Sequence, residues 1–272
     1  MEKSPVSLAI VSGKGGVGKS NLSLNLGIAL NDLRQNVLLV DCDFGLANMD
    51  ILLGIAPKAC LQDLFLQGSN LSDIIVPVAH TLGLEKLDLL PSASGMSTIT
   101  ELDMDSRTIL CERINAQTDA YNMVLLDICA GISSTVLGLA SRADMRLVII
   151  TPEPTSLTDG YALMKVMENT TGIKDFHIII NQAESELMAM ETYSHLTAVC
   201  DKFLGFKPAY LGNIAYDPAV STAVVHQQPF MRTAPKCVAS QNCRELATTL
   251  LHRCIALNKP PKTPALLENE PT

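Results

Sequence analysis

The sequence predicts an α/β fold with a mainly parallel, doubly wound sheet of about seven or eight strands and helices on both faces. Two observations support this prediction. Apolar runs of five to seven residues, often β-branched, alternate with helical patterns or loops along the chain. Polar residues also follow several runs, at the sheet edge where parallel α/β folds place their ligands. The runs end near Ser12, Asp41, Leu90, Asp127, Thr151, Asn181 and Ile214.

The segments between these runs predict helices. After the first run, apolar residues recur at helical spacing from Leu22 to Leu33. The segment from Val238 to Leu257 shows a similar pattern, and we expect it to be the final helix, packed on the sheet. The predicted helices span residues 18–33, 98–118, 133–142, 155–169, 186–203, 217–227 and 238–257.

Length and composition favour one compact domain. The 272 residues are 47% hydrophobic, enough to bury a large core, and the length suits one α/β domain better than two. We expect this domain to span residues 1–257. Residues 258–272 are proline-rich and polar, which predicts a disordered tail.

The location and charge of the chain can also be predicted. No apolar stretch reaches the ~20 residues that a membrane span needs, and the first strand follows Met-Glu-Lys-Ser-Pro at once, so we expect a cytoplasmic protein. The net charge of −8 argues against a general grip on nucleic acid. A basic stretch predicts either a solvated helix surface or a face for acidic partners, DNA or anionic lipid. It contains Arg232, Lys236, Arg244, Arg253, Lys259 and Lys262, against the single acidic residue Glu245.

The eight cysteines are scattered, with no C-x-x-C pair and no zinc-type spacing. We expect most of them to be reduced, small apolar fillers. Cys129 differs in lying two residues after Asp127, near the predicted ligand site. A lone cysteine cannot hold a cluster, so the filler interpretation is preferred for Cys129 as well.

Residues 13–20 read Gly-Lys-Gly-Gly-Val-Gly-Lys-Ser and match the phosphate-binding pattern G-x-x-x-x-G-K-[ST]. Glycines allow the backbone to wrap a phosphate, so that its N–H groups point inward at the start of a helix. Lys19 would add a positive charge, and the Ser20 hydroxyl would face Mg²⁺. A strand-like run before the loop and a helical pattern after it agree with this role. The predicted nucleotide contacts here are Gly13, Lys14, Gly15, Gly16, Val17, Gly18, Lys19, Ser20 and Asn21.

Three aspartates follow apolar runs and predict the metal and catalytic groups. Asp127 closes one run, and we expect its carboxylate to meet Mg²⁺; Gly131 then allows close approach to the γ-phosphate. Asp41 and Asp43 bracket Cys42, and we assign Asp41 to the metal side and Asp43 to the attacking water. Helix capping is an open alternative for Asp41.

Asn181 ends another run, and its amide offers both a donor and an acceptor to a purine edge. Asparagine is also common in turns after strands, so this signal is weak by itself. His177, within the same run, is expected to be a core histidine.

The segment from Lys14 to Ser20 resembles the deviant Walker A motif of the MinD/ParA family of P-loop ATPases, which have a SIMIBI-type fold. Further segments resemble the flagellar-number regulators of that family, the FlhG/FleN branch, and the likeness runs from about residue 6 to about residue 250. These segments are Ser20–Leu22, Asp41–Asn48, Pro91–Gly95, Asp127–Ser133 and Pro152–Asp159.

The resemblance implies a catalytic set of Lys14, Lys19 and Asp43. ATP binding would join two subunits face to face, with Lys14 reaching the partner's nucleotide, and hydrolysis oriented by Asp43 would release them. The resemblance also places Ala215, Tyr216 and Asp217 near adenine, although Ala215 stands where a proline is usual. The cofactors implied are ATP and Mg²⁺, with slow hydrolysis stimulated by a partner or by dimerisation.

The resemblance further implies regulation of flagellar number through two partners, a flagellar transcription activator and a signal-recognition-particle-type flagellar GTPase. The chain shows no basic N-terminal extension, so stimulation of the GTPase by that route is not expected. It shows no clear extra amphipathic helix after the fold, so peripheral contact with the inner membrane face stays open, with a negative expectation.

Two rival interpretations use the same fold. One is a MinD/ParA-type ATPase that positions the division site or partitions DNA, bound to membrane or to DNA. The other is an iron-sulphur carrier, which needs two well-placed cysteines per subunit.

Overall fold

The structure is a computed structural model that describes residues 5–65, 70–93, 108, 112–114 and 118–256. The helix predicted at 98–118 falls largely outside these residues, and so does the tail predicted at 258–272. The boundaries of the predicted domain, 1–257, therefore stay a prediction.

The described residues form one eight-stranded sheet in the order β3-β4-β2-β5-β1-β6-β7-β8. All neighbouring strands run parallel except β3 and β4, which are antiparallel. This architecture confirms the predicted fold class. The strands are β1 (Val6–Val11), β2 (Val37–Cys42), β3 (Val76–Pro77), β4 (Leu87–Leu90), β5 (Met123–Ile128), β6 (Met145–Ile150), β7 (His177–Ala183) and β8 (Ala209–Ala215).

The helices connect these strands and cover the sheet. They are α1 (Lys19–Asp32), α2 (Met49–Leu53), α3 (Leu71–Ile74), α4 (Ala79–Leu82), α5 (Ser134–Arg142), α6 (Pro154–Thr171), α7 (Glu186–Leu204), α8 (Pro218–Val225), α9 (Phe230–Thr233) and α10 (Val238–Ala256). A 3₁₀ turn spans Leu61–Phe65. Among the helices of the described ranges, none has the length and apolarity needed to cross a membrane.

The predicted strand ends agree with the structure to within two residues. Three of the polar residues lie within the last residues of their strands rather than after them: Asp41, Asp127 and Asn181. The strands β2, β5 and β7 each continue for one or two residues past these positions. The two-residue strand β3 was not predicted. A strand this short carries too little periodicity to be detected in sequence.

Two apolar layers hold the sheet between its helices. In β1, Leu8 and Ile10 join the core on the side of α1 and α10, whereas Ala9 and Val11 join the core on the side of α5, α6 and α7. This alternation follows from the two-residue period of a strand. Burial on both faces explains why the strands are almost continuously apolar, as the sequence predicted.

The order of the strands positions the functional edge. β1 lies between β5 and β6, and β5 separates β1 from β2. The carboxyl ends of β1, β2 and β5 therefore lie side by side, and the chain that follows each of them enters the same crevice. In open α/β sheets this crevice is where ligands bind.

Candidate nucleotide-binding site

The loop between β1 and α1 adopts the conformation that its glycines predict. Gly16 and Gly18 have positive φ angles of 78° and 87°, which disfavour residues with a Cβ. Gly18 is also the N-cap of α1, so Lys19 and Ser20 open the helix. The first N–H groups of α1 thus face the crevice at the end of β1, as an anion site requires.

Gly13 is required for a reason that sequence reasoning did not find. A Cβ at Gly13 would lie 2.0 Å from the backbone oxygen of Asp159, in α6. Gly15, in contrast, has no atom within 4 Å of its would-be Cβ. The first glycine of the loop therefore allows the loop to pack against α6.

Asn181 anchors the loop from the end of β7. Its Nδ2 donates to the Val17 carbonyl at 2.7 Å, and its Oδ1 accepts the N–H of Gln182 at 3.0 Å. A Cβ at Gly18 would lie 2.6 Å from that Nδ2, so Gly18 makes room for the bond. Asn181 is only 8% exposed. The predicted contact of Asn181 with a purine stays a prediction, while its contact with the loop is a finding.

Asp127 lies at the base of the loop as a fully buried carboxylate. The Ser23 hydroxyl of α1 donates to its Oδ1 at 3.0 Å. Burial raises the pKa of Asp127 to about 6, although the Ser20 hydroxyl and the charge of Lys19 favour the ionised form. The predicted metal residues Ser20 and Asp127 are therefore in contact, beside the buried Lys19.

Asp41 lies beside Asp127, because the two residues are register partners on β2 and β5. Its Oδ1 accepts the N–H of Asp43 at 3.0 Å, and its Oδ2 accepts those of Asn48 and Met49 at 3.2 and 3.3 Å. These bonds correspond to the capping alternative that the sequence left open. Burial, and then the neighbouring Asp127, raise the pKa of Asp41 to about 7. The metal role of Asp41 stays a prediction.

Asp43 begins the turn that follows β2. Its Oδ1 accepts the N–H groups of Gly45 and Leu46, at 3.3 and 2.9 Å. Its charge acts on both Asp127 and Cys129. The side chain thus belongs to the same crevice, and one of its carboxylate oxygens, Oδ2, has no hydrogen bond among the described residues.

Two neighbours of Asp127 complete this side of the crevice. Gly131 has a φ of 108°, and its N–H donates to the Ser12 carbonyl at 2.9 Å, which ties the segment after β5 to the phosphate loop. Burial, and then the charge of Asp43, raise the pKa of the Cys129 thiol to about 11. Cys129 is therefore a thiol at neutral pH, in agreement with the filler interpretation.

The residues at the base of the loop fit a magnesium ion. Mg²⁺ binds oxygen ligands, usually one or two from protein together with waters and phosphate. The Ser20 hydroxyl and the Asp127 carboxylate are such ligands, and Asp41 and Asp43 add their carboxylates beside Asp127. Over the described ranges, no three His, Cys, Asp or Glu side chains converge in a chelating cluster. This donor set suits Mg²⁺ better than a structural transition metal.

Lys14 lies at the rim of the site and binds its own chain. Its Nζ forms an ion pair with Glu153 and donates to the Thr155 hydroxyl at 3.0 Å. Both partners stand at the start of α6, where Glu153 is the N-cap residue. The Lys14 side chain keeps 35% of its surface exposed. The in-trans role of Lys14 stays a prediction.

A cavity of about 140 Å³ continues from the loop towards β8 and gathers the residues predicted to contact the base. A larger cavity of about 530 Å³ lies between α8 and α9 and contains none of the predicted site residues, so size alone does not mark the nucleotide site. The smaller cavity is lined by Gly18, Asn21, Leu22, Asn181, Gln182, Ile214, Ala215, Tyr216, Asp217, Val220, Ser221 and Phe230.

Asp217 borders this cavity but uses its carboxylate to cap two helices. Oδ1 accepts the N–H of Ala219 at 3.0 Å in α8, and Oδ2 accepts those of Val238 and Ala239 at 3.0 and 3.4 Å in α10. Backbone hydrogen bonds to Ala219 and then to Ala239, partly opposed by burial, lower the pKa of Asp217. The predicted contact with adenine stays a prediction.

Asn21 is tied to the far wall of the cavity through a second asparagine. The Nδ2 of Asn25 donates to the Asn21 carbonyl and to Asn21 Oδ1, and the Oδ1 of Asn25 accepts the N–H of Met231 at 3.0 Å. The neighbour of Met231, Phe230, lines the cavity. This buried network fixes α9 relative to the first turns of α1.

Sequence reasoning missed several residues of the site. Glu153 and Thr155 lie within a segment that resembles the family. The negative charge of Glu153, complementary to that of Lys14, was the signal that could have indicated their contact. Gln182 gave no signal, because its position depends on an irregularity of β7. Ser23 looked like an ordinary residue of α1.

The basic stretch near the C-terminus is partly neutralised in the structure. Arg232 Nη2 lies 2.7 Å from Asp32 Oδ1, and Arg253 donates to the Tyr210 carbonyl at 3.2 Å. These contacts agree with a solvated helix surface. Lys259 and Lys262 lie outside the described residues.

The parallel sheet, the glycine loop that caps α1, and the buried acids beside that loop define a P-loop nucleotide-binding protein. The CobQ/CobB/MinD/ParA nucleotide binding domain matches residues 8–230. The chain therefore belongs to the MinD/ParA family of nucleotide-binding proteins.

Two sequence relatives and one solved structure are similar to this chain. Antiactivator FleN of Pseudomonas aeruginosa is 36% identical over 233 residues, which cover 86% of this chain and 81% of FleN. The flagellum site-determining protein YlxH of Helicobacter pylori is 27% identical, over 90% of this chain and 82% of YlxH. The septum site-determining protein MinD of Pyrococcus horikoshii, solved with Mg-ADP, superposes with a TM-score of 0.73 at 23% identity, over 90% of this chain and 96% of that one.

Proposed function

We propose that this protein is an ATP-dependent dimerisation switch that regulates flagellar number or placement. Its similarity to the P. aeruginosa antiactivator FleN, over most of both chains, supports the flagellar role. The observation that carries the switch is the position of Lys14. It is a second lysine of the phosphate loop, partly exposed at the rim of the crevice, where a second subunit could approach it.

ATP and Mg²⁺ are the proposed cofactors. The N–H groups of the loop and the ammonium of Lys19 would bind the phosphates, while Ser20 and Asp127 would hold the ion. Bound Mg²⁺ would neutralise negative charge on the phosphates. The cavity beside Asn21 and Asn181 would take the nucleoside.

Hydrolysis would need a water aligned with the γ-phosphate. Asp43 is the proposed positioning group, because its Oδ2 has no hydrogen bond from the described residues while the turn holds its Oδ1 in place. Lys14 of the partner subunit would stabilise the charge that develops on the transferring phosphate, as an arginine finger does in other P-loop proteins. Because the catalytic groups would come from two subunits, turnover should be slow and should be stimulated by dimerisation or by a partner.

Loss of the γ-phosphate would change the conformation of the segment around Gly131. Its N–H bond to Ser12 joins the segment after β5 to the loop, so a change at the phosphate can move that segment. The proposed readers of the dimer are a flagellar transcription activator and a signal-recognition-particle-type GTPase, as the resemblance implies. We propose a cytoplasmic location and leave peripheral membrane contact as an outcome to be measured.

The biochemical test uses three variants and a matched control. Lys19→Ala should abolish ATP binding, Lys14→Ala should bind ATP but stay monomeric, and Asp43→Ala should bind ATP, lose hydrolysis and accumulate as a dimer. Lys165→Ala, at an exposed lysine of α6, should behave as the wild type. Light scattering with Mg-ATP gives the mass, and phosphate release gives the rate. A monomeric Asp43→Ala variant saturated with Mg-ATP would contradict the switch.

The cellular test counts flagella in the source organism. Deletion of the gene should change flagellar number or position, and the wild-type gene should restore it while the Lys19→Ala gene should not. Normal flagella in the deletion strain, together with displaced division septa, would instead favour a division-site function.

A further inference from the structure

Gln182 stands out because β7 is irregular where it meets the predicted base cavity. Asn181 pairs with Ile214 and Ala183 pairs with Ala215, so Gln182 is an extra residue between consecutive pairs. Its φ is 59°, a left-handed conformation that residues with a Cβ rarely adopt. Such bulges redirect a side chain, and strained residues of this kind concentrate at ligand sites.

The bulge changes which way Gln182 points. In a regular strand, adjacent side chains face opposite sides of the sheet. Here both Asn181 and Gln182 line the cavity, together with Gly18. The Nε2 of Gln182 lies 3.7 Å from the position that a Cβ on Gly18 would take, so its carboxamide extends over the phosphate loop.

The two neighbouring amides differ in availability. Asn181 is buried, and its amide is bonded to Val17 and to the backbone of Gln182. The Gln182 side chain is exposed, and no hydrogen bond to its carboxamide is found among the described residues. It is therefore a planar polar group open to an incoming base.

We propose that Gln182 forms one wall of the base slot, with its carboxamide lying against the face of a purine, and that it sets the part of nucleotide affinity contributed by the base. The proposal rests on the proposed nucleotide-binding function.

The test separates base affinity from phosphate affinity. ADP and tripolyphosphate, which has no base, are each used to displace a fluorescent ADP analogue from the full-length protein. Gln182→Gly, which suits the positive φ, should weaken ADP binding by about tenfold and leave tripolyphosphate binding within about twofold. Asparagine tolerates the left-handed conformation but has a shorter side chain than glutamine. The ADP affinity of Gln182→Asn should therefore lie between those of the wild type and Gln182→Gly.

Arg34→Gly is the matched control, because Arg34 also has a positive φ, of 63°, but lies outside the site. It should leave both affinities unchanged. Equal loss of ADP and tripolyphosphate in Gln182→Gly would assign Gln182 a structural role in the loop, and unchanged ADP affinity would remove the contact altogether. Failure of the wild type to bind either ligand would instead overturn the proposed function itself.

Discussion

Lys14 forms an ion pair with Glu153 of its own chain, across the gap between the phosphate loop and α6. The same ammonium is proposed to serve the nucleotide of a second subunit. The contact within the chain and the contact between subunits therefore compete for one side chain. Because the Glu153 side chain is 59% exposed, solvent screens the pair, and its contribution should be at most about 1 kcal/mol.

Glu153→Gln should favour the dimer. Removal of the carboxylate charge frees Lys14, so the Mg-ATP concentration needed for half-dimerisation should fall by up to about fivefold, the equivalent of about 1 kcal/mol. Sedimentation of the variant in an Asp43→Ala background measures this shift. Glu168→Gln, which breaks the surface pair with Lys174, is the control. A higher ATP requirement would show that Glu153 supports the dimer instead.

Gly13→Ala should lower the free energy of unfolding of the nucleotide-free protein. Its Cβ would overlap the Asp159 backbone, which cannot move without shifting α6, so a loss of about 1–3 kcal/mol or more is expected. Gly15→Ala is the control, since the space there is open. Urea unfolding of both nucleotide-free variants checks the difference. Equal stability of the two would contradict the packing argument.

Asp217→Ala should weaken both stability and nucleotide binding. It removes the cap shared by α8 and α10, at a cost of about 1–2 kcal/mol, and loosens the wall of the base cavity. Ser185→Ala removes the cap of α7, which donates its Met188 N–H at 3.2 Å, without touching the cavity. ADP calorimetry on both variants should show weaker binding only for Asp217→Ala. Parallel losses in both would mean that the effect is general.

The buried acids predict a pH dependence of stability. A folded-state pKa of about 6 for Asp127, against about 3.9 in the unfolded chain, means that the native state binds more protons between these values. The stability of the nucleotide-free protein should thus fall, on the order of 1–3 kcal/mol from this group, as pH rises from about 4 to about 6. Thermal unfolding of wild type and Asp127→Asn across this window should diverge.

Asp73→Asn, at an exposed residue of α3, provides the reference for that comparison. Its unfolding midpoints should track those of the wild type at every pH. As pH rises, Asp127→Asn should lose less stability than the wild type or Asp73→Asn. Identical pH profiles for all three proteins would mean that Asp127 does not titrate in this range.

Much of the site was predictable, because it depends on local rules. The strand-loop-helix context of Gly18, Lys19 and Ser20 follows from spacing alone, and acids at the ends of parallel strands must converge once the sheet forms. The structure accordingly places Asp127 against Ser20 and beside Asp41.

Other features depend on contacts distant in sequence and were not predictable. The left-handed conformation of Gln182 accompanies the register shift between β7 and β8. Glutamine has no preference for this conformation, so the sequence did not predict it. Asp217 caps its own helix as expected of an aspartate, but its second bond reaches Val238 in α10, which only the packed fold brings near. The need for Gly13 likewise comes from α6.

The insertion of β5 between β1 and β2 has a consequence for synthesis on the ribosome. The strand that carries the phosphate loop cannot pair with β2 directly, and its actual neighbours, β5 and β6, emerge much later. β1 must therefore remain unpaired while the intervening chain is translated, whereas β2 can pair with β4 earlier, and completion of the sheet is a late, non-local event. A nascent chain that stalls before residue 123 would carry the complete ATP motif but no pocket in which to use it.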